Sequence, residues 1–257
     1  MPLFNNYRAD RLRNALTSNE LNRYDRQIMI FNKKGQLKLK RTRILIAGVG
    51  GLGSASALYS AAVGFGKIFL VDHEVVELSN LNRQILYWAE DIGKKKVRVA
   101  AEKLRKLNPE ITVEYVEETI TEENVSDLVS GVDIVLDGMD NWRARFLLNE
   151  ACVKRKIPFI HGAVEGLVGQ MLTIIPYRGP CLQCIFSKAP PPKPVFPILG
   201  TTPGVIALLQ VTEAVKIITG YGEPAIGKMI VYDGYDMSFR EVKVLRRIEC
   251  PVCGGSS

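Results

Sequence analysis

The sequence predicts an α/β protein with a Rossmann-like parallel sheet, helices on both faces, and antiparallel C-terminal strands that extend the sheet. Three observations support this class. An apolar run at residues 43–47 leads into a glycine-rich turn at 48–53. A helix rich in small residues is predicted at 54–63. Short buried strands then alternate with helices up to residue 155, which is typical of a parallel sheet covered on both faces.

The elements of the first 165 residues are predicted from apolar periodicity. Residues 1–40 are expected to be helical, with segments at 10–16 and 18–29 and a weak cap at Ser18. Strands are predicted at 67–72, 111–116, 132–136 and 158–162, and helices at 94–107, 122–128 and 142–155. Ligands of such sheets lie beyond the carboxyl ends of the strands. Asp140, which follows the fourth strand, is therefore expected to face the same crevice as the glycine turn.

The last part of the chain changes character. Strands predicted at 170–175, 228–232 and 241–245 would extend the sheet in antiparallel fashion. The proline-rich segment 187–203 is predicted to be an exposed, extended crossing that cannot be helical. Thr202 and Pro203 then open an apolar helix that Gly220 ends. We expect one domain, 1–257, with a helical region at 1–40, a nucleotide-binding part at 41–165, and the crossing, metal site and C-terminal strands at 166–257.

Charge and composition narrow the classes of partner. The net charge is +7, and the Lys and Arg residues are spread along the chain. The charge is typical of a solvated basic surface, and it is also compatible with an anionic partner. Among such partners, a nucleotide plus an acidic protein is favoured over nucleic acid, because no basic motif is interleaved with aromatics. No secretory signal is visible, and no apolar run approaches the ~20 residues of a membrane span. A cytoplasmic protein without a membrane partner is expected.

The cysteines form two CxxC pairs, Cys181 with Cys184 and Cys250 with Cys253. In a reducing compartment such pairs fit a closed tetrahedral Zn²⁺ site of four thiolates. A site with no open position is structural. The alternative is a redox CxxC motif. Cys152 lies in an apolar helix and is expected to be a buried small residue.

The glycine turn predicts a phosphate-binding site. Gly48, Gly50 and Gly53 match GxGxxG, with Gly51 between them, and Asp72 lies about 20 residues further on, where dinucleotide-binding folds place a ribose-binding acid. The charged residues elsewhere favour ATP over NAD, because adenylyl transfer needs cations on the triphosphate and a carboxylate for Mg²⁺. The candidate cations are Arg26, Arg83 and Lys96, and the candidate Mg²⁺ ligand is Asp140.

Taken together, these motifs resemble the MoeB/ThiF/HesA family of ubiquitin-activating-enzyme-like adenylyltransferases. The resemblance runs from about residue 20 to Cys253, with the motifs in the family's order. The matching motifs are Arg23-Tyr24-x-Arg26-Gln27, Gly48-x-Gly50-Gly51-x-Gly53, Asp72, Ser79-Asn80-Leu81-x-Arg83-Gln84, Gly93-x-x-Lys96, Asp140-Asn141-x-x-x-Arg145 and the two CxxC pairs.

The resemblance implies a homodimer that uses ATP to adenylate the C-terminal carboxylate of a small β-grasp protein ending in Gly-Gly, with release of pyrophosphate. By the family pattern, Asp72 binds ribose, and Asn80 and Arg83 contact the nucleotide. Lys96 holds phosphates and Asp140 holds Mg²⁺. Arg26 matches an arginine that reaches into the partner subunit's site.

One departure from the family concerns the crossing. Many relatives carry a cysteine there for thioester or persulfide transfer, whereas this sequence has no cysteine between Cys184 and Cys250, and Lys193 lies roughly at that position. Adenylation without a thioester on this loop is therefore predicted, and a separate protein would deliver sulfur.

Three alternatives stay open at this point. A tRNA threonylcarbamoyl-adenosine dehydratase would use the same ATP chemistry on RNA. An NAD-dependent oxidoreductase fits the glycine turn and Asp72 but leaves Arg26, Arg83 and Lys96 unexplained. A non-catalytic scaffold that binds a ubiquitin-like protein would not need the charged residues. The sequence does not identify the carrier or the downstream pathway.

Overall fold

The computed structural model describes residues 15–190 and 196–255, which form one eight-stranded sheet with helices on both faces. The strands are β1 Arg43–Ala47, β2 Lys67–Val71, β3 Thr112–Val116, β4 Ile134–Asp137, β5 Phe159–Glu165, β6 Val168–Ile174, β7 Lys228–Asp233 and β8 Ser238–Lys243. The helices are α1 Ser18–Arg23, α2 Asp25–Arg41, α3 Gly51–Val63, α4 Lys96–Leu107, α5 Val125–Leu128, α6 Trp142–Arg155, α7 Leu182–Ile185 and α8 Thr201–Thr219.

The sheet has the predicted Rossmann-like architecture. Its strand order is β3-β2-β1-β4-β5-β6-β7-β8, in which β1 to β5 pair in parallel and β6 to β8 pair in antiparallel fashion. Strand β1 lies between β2 and β4, so the connections diverge to either side of it. This divergence is the topological switch point, where such sheets bind ligands.

The parallel strands divide their side chains between two cores. Ile44 and Ile46 of β1 belong to an apolar cluster with residues of α3, α4 and α8. Leu45 and Ala47 point to the opposite face and pack with residues of α6. Successive strand side chains alternate between faces, so a strand covered on both sides must be apolar throughout. The continuous apolar runs in the sequence reflect this double burial.

The predicted N-terminal helix 18–29 is wrong in detail, because the chain breaks at Tyr24 into α1 and α2. The cap is Thr17, and not Ser18, since Thr17 Oγ1 accepts a hydrogen bond from the Glu20 N–H at 3.1 Å. The Glu20 carboxylate accepts one in return from the Thr17 N–H at 2.7 Å. Tyr24 is buried, and its hydroxyl accepts a hydrogen bond from Asn108 at 2.8 Å. The predicted segment 10–16 lies almost wholly outside the described residues.

The crossing and the helix after it follow the prediction, with two corrections. Residues 187–190 and 196–200 contain no helix, but residues 201–203 already belong to α8. The N-cap of α8 is Gly200 without a side-chain cap, and the Thr202 hydroxyl instead donates to the Gly166 carbonyl at 3.1 Å. Gly220 ends the helix in the left-handed conformation, as expected. Lys193 lies outside the described residues.

Helix α8 is long and apolar enough to cross a membrane by length and composition alone. It packs against α2, α3, β5 and β6, and residues such as Ile206, Ala207 and Ala214 are fully buried in this contact. These are the features of the core helix of a folded domain.

Three glycines bring the ends of β1 and β4 into contact. Gly48 has a φ of +84°, which an L side chain rarely adopts. A Cβ atom on Gly53 would lie 1.8 Å from the Gly48 carbonyl oxygen, and one on Gly138 would lie 2.5 Å from the same atom. The turn therefore has no space for any side chain at Gly53 or Gly138.

We predict that Gly53→Ala destabilises the fold by ~2 kcal/mol or more, because backbone must move to admit the methyl group. Gly204→Ala is the matched control, since Gly204 is also helical but a Cβ there meets nothing within 4 Å. This control is expected to change stability by about 1 kcal/mol or less. Urea unfolding of both variants measures the difference, and equal effects would contradict the packing described for the turn.

Candidate functional site

A cleft of about 550 Å³ opens at the carboxyl ends of β1, β2 and β4. Its walls come from the glycine turn, the ends of the parallel strands and the end of the crossing. The lining residues that were predicted as site residues are Gly48, Gly50, Gly51, Asp72, Arg83 and Asp140. The structure thus brings together six positions that span almost a hundred residues of sequence.

Backbone contacts fix the glycine turn. The Gly48 N–H donates to the Val71 carbonyl at 2.8 Å, which ties the turn to β2. The Val49 N–H donates to Asp72 Oδ2 at 2.8 Å, and the Val49 carbonyl accepts from the Tyr87 hydroxyl at 2.8 Å. Burial raises the pKa of Tyr87 well above its ordinary value, so this hydroxyl stays a donor. Both peptide groups of Val49 therefore have fixed partners.

The glycine turn ends at the N-terminus of α3. The N-cap is Gly50, and no side chain caps the helix there. An uncapped helix N-terminus presents free N–H groups and the positive end of the helix dipole, which together favour an anion. Gly50 and Gly51 both line the cleft, so this backbone is part of its wall. These are the properties of a phosphate-binding site.

Asp72 both binds the backbone of the glycine turn and lines the cleft. Oδ2 accepts from the Val49 N–H, and Oδ1 accepts from the Glu74 N–H at 2.8 Å. Each carboxylate oxygen carries a second lone pair, so the side chain can still accept hydrogen bonds from a ligand. The carboxylate is thereby oriented before any ligand binds.

The predicted cations lie in different surroundings. Arg83 lines the cleft, and its guanidinium donates to the Ser79 carbonyl at 2.8 Å. The side chain of Lys96 is 2% exposed and forms an ion pair with Glu74, whose carboxylate faces the cleft. Lys96 is therefore not among the residues that line the cleft, whereas its ion-pair partner Glu74 is.

Arg26 and Asn80 also lie away from the cleft walls of the described chain. The side chain of Arg26 is 89% exposed, and its Nε lies 3.9 Å from Asp25 Oδ2. Asn80 is buried, and its Oδ1 accepts from the Glu77 N–H at 3.1 Å. The roles predicted for Arg26, Asn80 and Lys96 remain predictions.

Asp140 lies on the rim of the cleft with an exposed side chain. Its contact with Asn141 Nδ2 measures 3.5 Å, at the limit of a hydrogen bond. Asn141 instead caps α6, because its Oδ1 accepts from the Ala144 N–H at 2.9 Å. The Asp140 carboxylate is therefore available to a cation.

Several lining residues were missed by sequence reasoning. Residues 118–121 follow β3 and form one wall, and Arg143, Phe196 and Ile198 also line the cleft. The rule that ligands lie beyond the carboxyl ends of parallel strands could have found residues 118–121. Nothing in the local sequence marks Phe196 and Ile198, which reach the cleft through the path of the crossing.

The four CxxC cysteines converge at a second site. Their sulfur atoms all lie within 4.8 Å of one another, and all four residues are buried. Cys181 and Cys250 are 3.6 Å apart at sulfur, and Cys184 and Cys253 are 3.3 Å apart, so no disulfide joins them. A tetrahedral Zn²⁺ with Zn–S bonds of ~2.3 Å separates its sulfurs by ~3.8 Å. The cluster is thus compatible with zinc.

Cys152 is buried in α6 and is not one of the four converging cysteines. Burial raises the pKa of its thiol far above the ordinary value, so it is not a nucleophile at neutral pH.

The fold and the cleft define a nucleotide-binding α/β protein with its ligand at the switch point of the sheet. The chain belongs to the ThiF family, whose model matches residues 24–252. It is 40% identical to the SAMP-activating enzyme E1 of Haloferax volcanii, over 93% of this chain and 91% of that protein. It is 38% identical to the sulfur carrier protein adenylyltransferase of Thermus thermophilus, over 93% and 92%.

The structural comparison agrees. A crystal structure of E. coli MccB with ATP superposes with a TM-score of 0.81 at 26% identity, covering 91% of this chain and 75% of that one. The chain is an adenylyltransferase, as its motifs predicted. ATP fits this family, so the interpretation as an NAD-dependent oxidoreductase is dropped.

We predict that Cys250→Ser lowers the zinc content of the purified protein to near zero and lowers its melting temperature, because three thiolates no longer close the site. Cys152→Ser is the matched control, since it removes a buried thiol outside the cluster. Elemental analysis combined with thermal unfolding measures both effects. A Cys250→Ser protein that keeps one zinc per chain would contradict the four-cysteine site.

Proposed function

We propose that this protein uses ATP to adenylate the C-terminal Gly-Gly carboxylate of a ubiquitin-like or sulfur-carrier protein, releasing pyrophosphate. The observation that carries the proposal is the cleft itself, in which an uncapped helix N-terminus, Asp72, Arg83 and Asp140 face one space. Two relatives whose names specify such activation match nearly the whole chain. Their names favour this function over RNA modification.

The nucleotide has a natural orientation in the cleft. Its phosphates would lie at the N-terminus of α3, where Gly50 and Gly51 leave the backbone accessible. Its ribose hydroxyls would donate to Asp72, which is held by Val49 and Glu74. Arg83 lies beside Gly51, since a Cβ on Gly51 would be 3.6 Å from Arg83 Cγ, so its guanidinium can reach the same phosphates. In the proposed arrangement, Asn80 would contact the nucleotide and Lys96 would bind the phosphates.

Lys96 would reach a phosphate only after exchanging its partner. Its ammonium now pairs with Glu74, which is half-exposed at the cleft edge. A triphosphate carries more negative charge than one carboxylate, so a bound nucleotide could take over the ammonium.

The Asp140 carboxylate fits a Mg²⁺ ion, because an exposed oxygen ligand with a single marginal hydrogen bond is what this hard cation accepts. When bound, the ion would neutralise charge on the phosphates. The protein's own contribution is to hold Asp140 at the rim, facing the α3 N-terminus across the cleft.

The reaction needs no acid–base group from the protein. The carboxylate of the carrier is ionised at neutral pH and attacks the α-phosphorus directly, so no general base is needed. The bond to the β-phosphate breaks, and pyrophosphate leaves with the electron pair. Catalysis then rests on alignment of the two reactants and on cations that stabilise charge in the transition state.

The crossing forms the wall opposite the nucleotide. Pro203 lies against Gly51, and a Cβ on Gly200 would lie 2.1 Å from the Asn82 carbonyl oxygen. The end of the crossing therefore packs directly against the loop that carries Arg83. The described residues of this wall and Val164 are largely apolar, and we propose that the narrow glycine tail of the carrier lies along them.

The proposal includes a homodimer in which Arg26 enters the partner's site. Arg26 is exposed beside two exposed apolar residues, Met29 at 75% and Ile30 at 56%. Exposed apolar residues next to an exposed cation are what an interface that delivers the cation would present.

The proposal also includes the absence of a thioester step on the crossing. The sequence has no cysteine between Cys184 and Cys250, so we propose that no thioester forms on the crossing and that a separate cytoplasmic protein donates sulfur. The zinc would be structural, joining α7 to the C-terminal residues.

We predict that a Gly-Gly-tailed carrier stimulates ATP–pyrophosphate exchange, and that Asp140→Ala lowers the exchange rate by ~100-fold or more. Asp127→Ala is the matched control, because Asp127 is an exposed acid on α5 outside the cleft. Absence of exchange with every such carrier would refute the proposed function. Exchange that survives Asp140→Ala would refute only the role of Asp140.

The role of Arg26 can be tested by mixing inactive subunits. If Arg26 acts across the dimer, a heterodimer of Arg26→Ala and Asp140→Ala subunits has one site with both residues intact. Equal mixing and reassociation should then recover about a quarter of the wild-type exchange rate. If Arg26 acts within its own subunit, or not at all in catalysis, the mixture will not recover in this way.

A further inference from the structure

A buried polar cluster lies beneath the cleft, and the adenylation chemistry does not use it directly. It consists of Asp137 at the end of β4, Arg145 on α6 and His161 on β5, with exposures of 0%, 6% and 0%. Burial of charged and polar groups costs several kcal/mol unless each has a partner.

Asp137 binds the backbone that leads to Asp140. Its Oδ1 accepts from the Met139 N–H at 2.9 Å, and its Oδ2 accepts from His161 Nδ1 at 2.6 Å. Arg145 Nε lies 3.4 Å from the same Oδ2. Each carboxylate oxygen thus has a specific partner, and one of them is the backbone immediately before Asp140.

Arg145 holds the other side of the same residue. Its Nη2 donates to the Met139 carbonyl at 2.6 Å and to the Gly162 carbonyl on β5 at 3.2 Å. The Met139 N–H and C=O are therefore bound by Asp137 and Arg145 respectively. Because these two peptide groups flank Met139, they determine where the next residue, Asp140, enters the cleft.

His161 completes the cluster from β5. Burial lowers the pKa of its imidazole, and nearby Arg145 adds to this effect, although Asp137 opposes it. The neutral ring carries its proton on Nδ1 to serve Asp137. This leaves Nε2 buried without a hydrogen-bond partner among the described residues.

We propose that His161, acting with Asp137 and Arg145, is a positioning residue that sets the Asp140 carboxylate for the cation bound with ATP. The inference rests on the proposed function in one respect, the assignment of Asp140 as the ligand of that cation. His161 fixes Asp137, Asp137 and Arg145 fix Met139, and Met139 places Asp140. Outer groups of this kind change metal affinity or activity by about 10- to 100-fold when they are removed.

The test compares three substitutions at one position. His161→Asn places an amide N–H where Nδ1 was, and His161→Gln places one nearer Nε2. His161→Leu removes both ring nitrogens at similar volume. Val153→Ala is the control for general loss of stability, because Val153 is buried in α6 within the apolar cluster on the same face of the sheet.

Two readouts separate positioning from a merely structural role. The first is binding of Mn²⁺ in the presence of ATP, measured by electron paramagnetic resonance without any carrier. The second is the Mg²⁺ concentration that gives half-maximal ATP–pyrophosphate exchange, with kcat and the KM for ATP recorded separately.

We expect His161→Leu and His161→Gln to weaken Mn²⁺ binding and raise the half-maximal Mg²⁺ concentration by ~10-fold or more, with kcat falling more than KM rises. His161→Asn should stay within about threefold of wild type. Val153→Ala should lower the melting temperature without moving either cation readout.

Cation binding that is unchanged in His161→Gln, or equally weakened in His161→Asn and His161→Gln, would overturn the inference. If His161→Leu fails to fold, the Asn and Gln pair decides the question. A wild-type protein that binds Mn²⁺ with ATP but exchanges with no carrier would refute the proposed function, while the Mn²⁺ measurements would still decide the role of His161.

Discussion

The contact between the glycine turn and the end of β4 determines the geometry of the site. The Gly48 carbonyl oxygen approaches both Gly53 and Gly138 so closely that neither position could carry a Cβ. The Gly138 N–H also donates to the Ala47 carbonyl at 2.7 Å. Two strand ends that are adjacent in the sheet but distant in sequence are thus joined backbone to backbone. The phosphate-binding turn and the loop of Asp140 are consequently held in a fixed position relative to each other.

The remaining polar groups of the site are arranged around this contact. Asp72 and Tyr87 fix Val49 on one side of it, and Asp137 and Arg145 fix Met139 on the other. Near β4, Asp137 and Arg145 bind main-chain groups and leave Asp140 free to face the ligand. Near β1, Asp72 itself both binds the main chain and faces the cleft. Such an arrangement is preorganised: a ligand meets dipoles and charges that need little reorientation, which is the main physical source of catalytic electrostatics.

The sequence allowed prediction of those features that depend on local pattern or on a general rule of parallel sheets. The glycine turn and Asp72 follow from a motif at a known spacing, and Asp140 follows from its place after the fourth strand. The capping box formed by Thr17 and Glu20 also matches a local sequence pattern, whereas the cap predicted at Ser18 does not. The cluster of Asp137, Arg145 and His161 could not be predicted, because it depends on the pairing of β4 with β5 and on the tilt of α6. The burial of Lys96 against Glu74 depends likewise on how α4 packs, which no spacing in the sequence reveals.

The packing of α8 against α3 has a consequence for how the protein folds. Ser56 on α3 hydrogen-bonds to Gln210 on α8, and the two residues are 154 positions apart. Gln210 also donates to the Asp137 and Ile160 carbonyls, at 2.9 Å each, and so ties β4 and β5 to the same helix. Contacts of such high sequence separation form slowly, because the entropy of closing a long loop must be overcome first. During synthesis the glycine turn leaves the ribosome well before α8, and it gains its supporting helix only after the intervening chain has been made. The phosphate-binding turn is therefore complete in sequence long before its native packing can form.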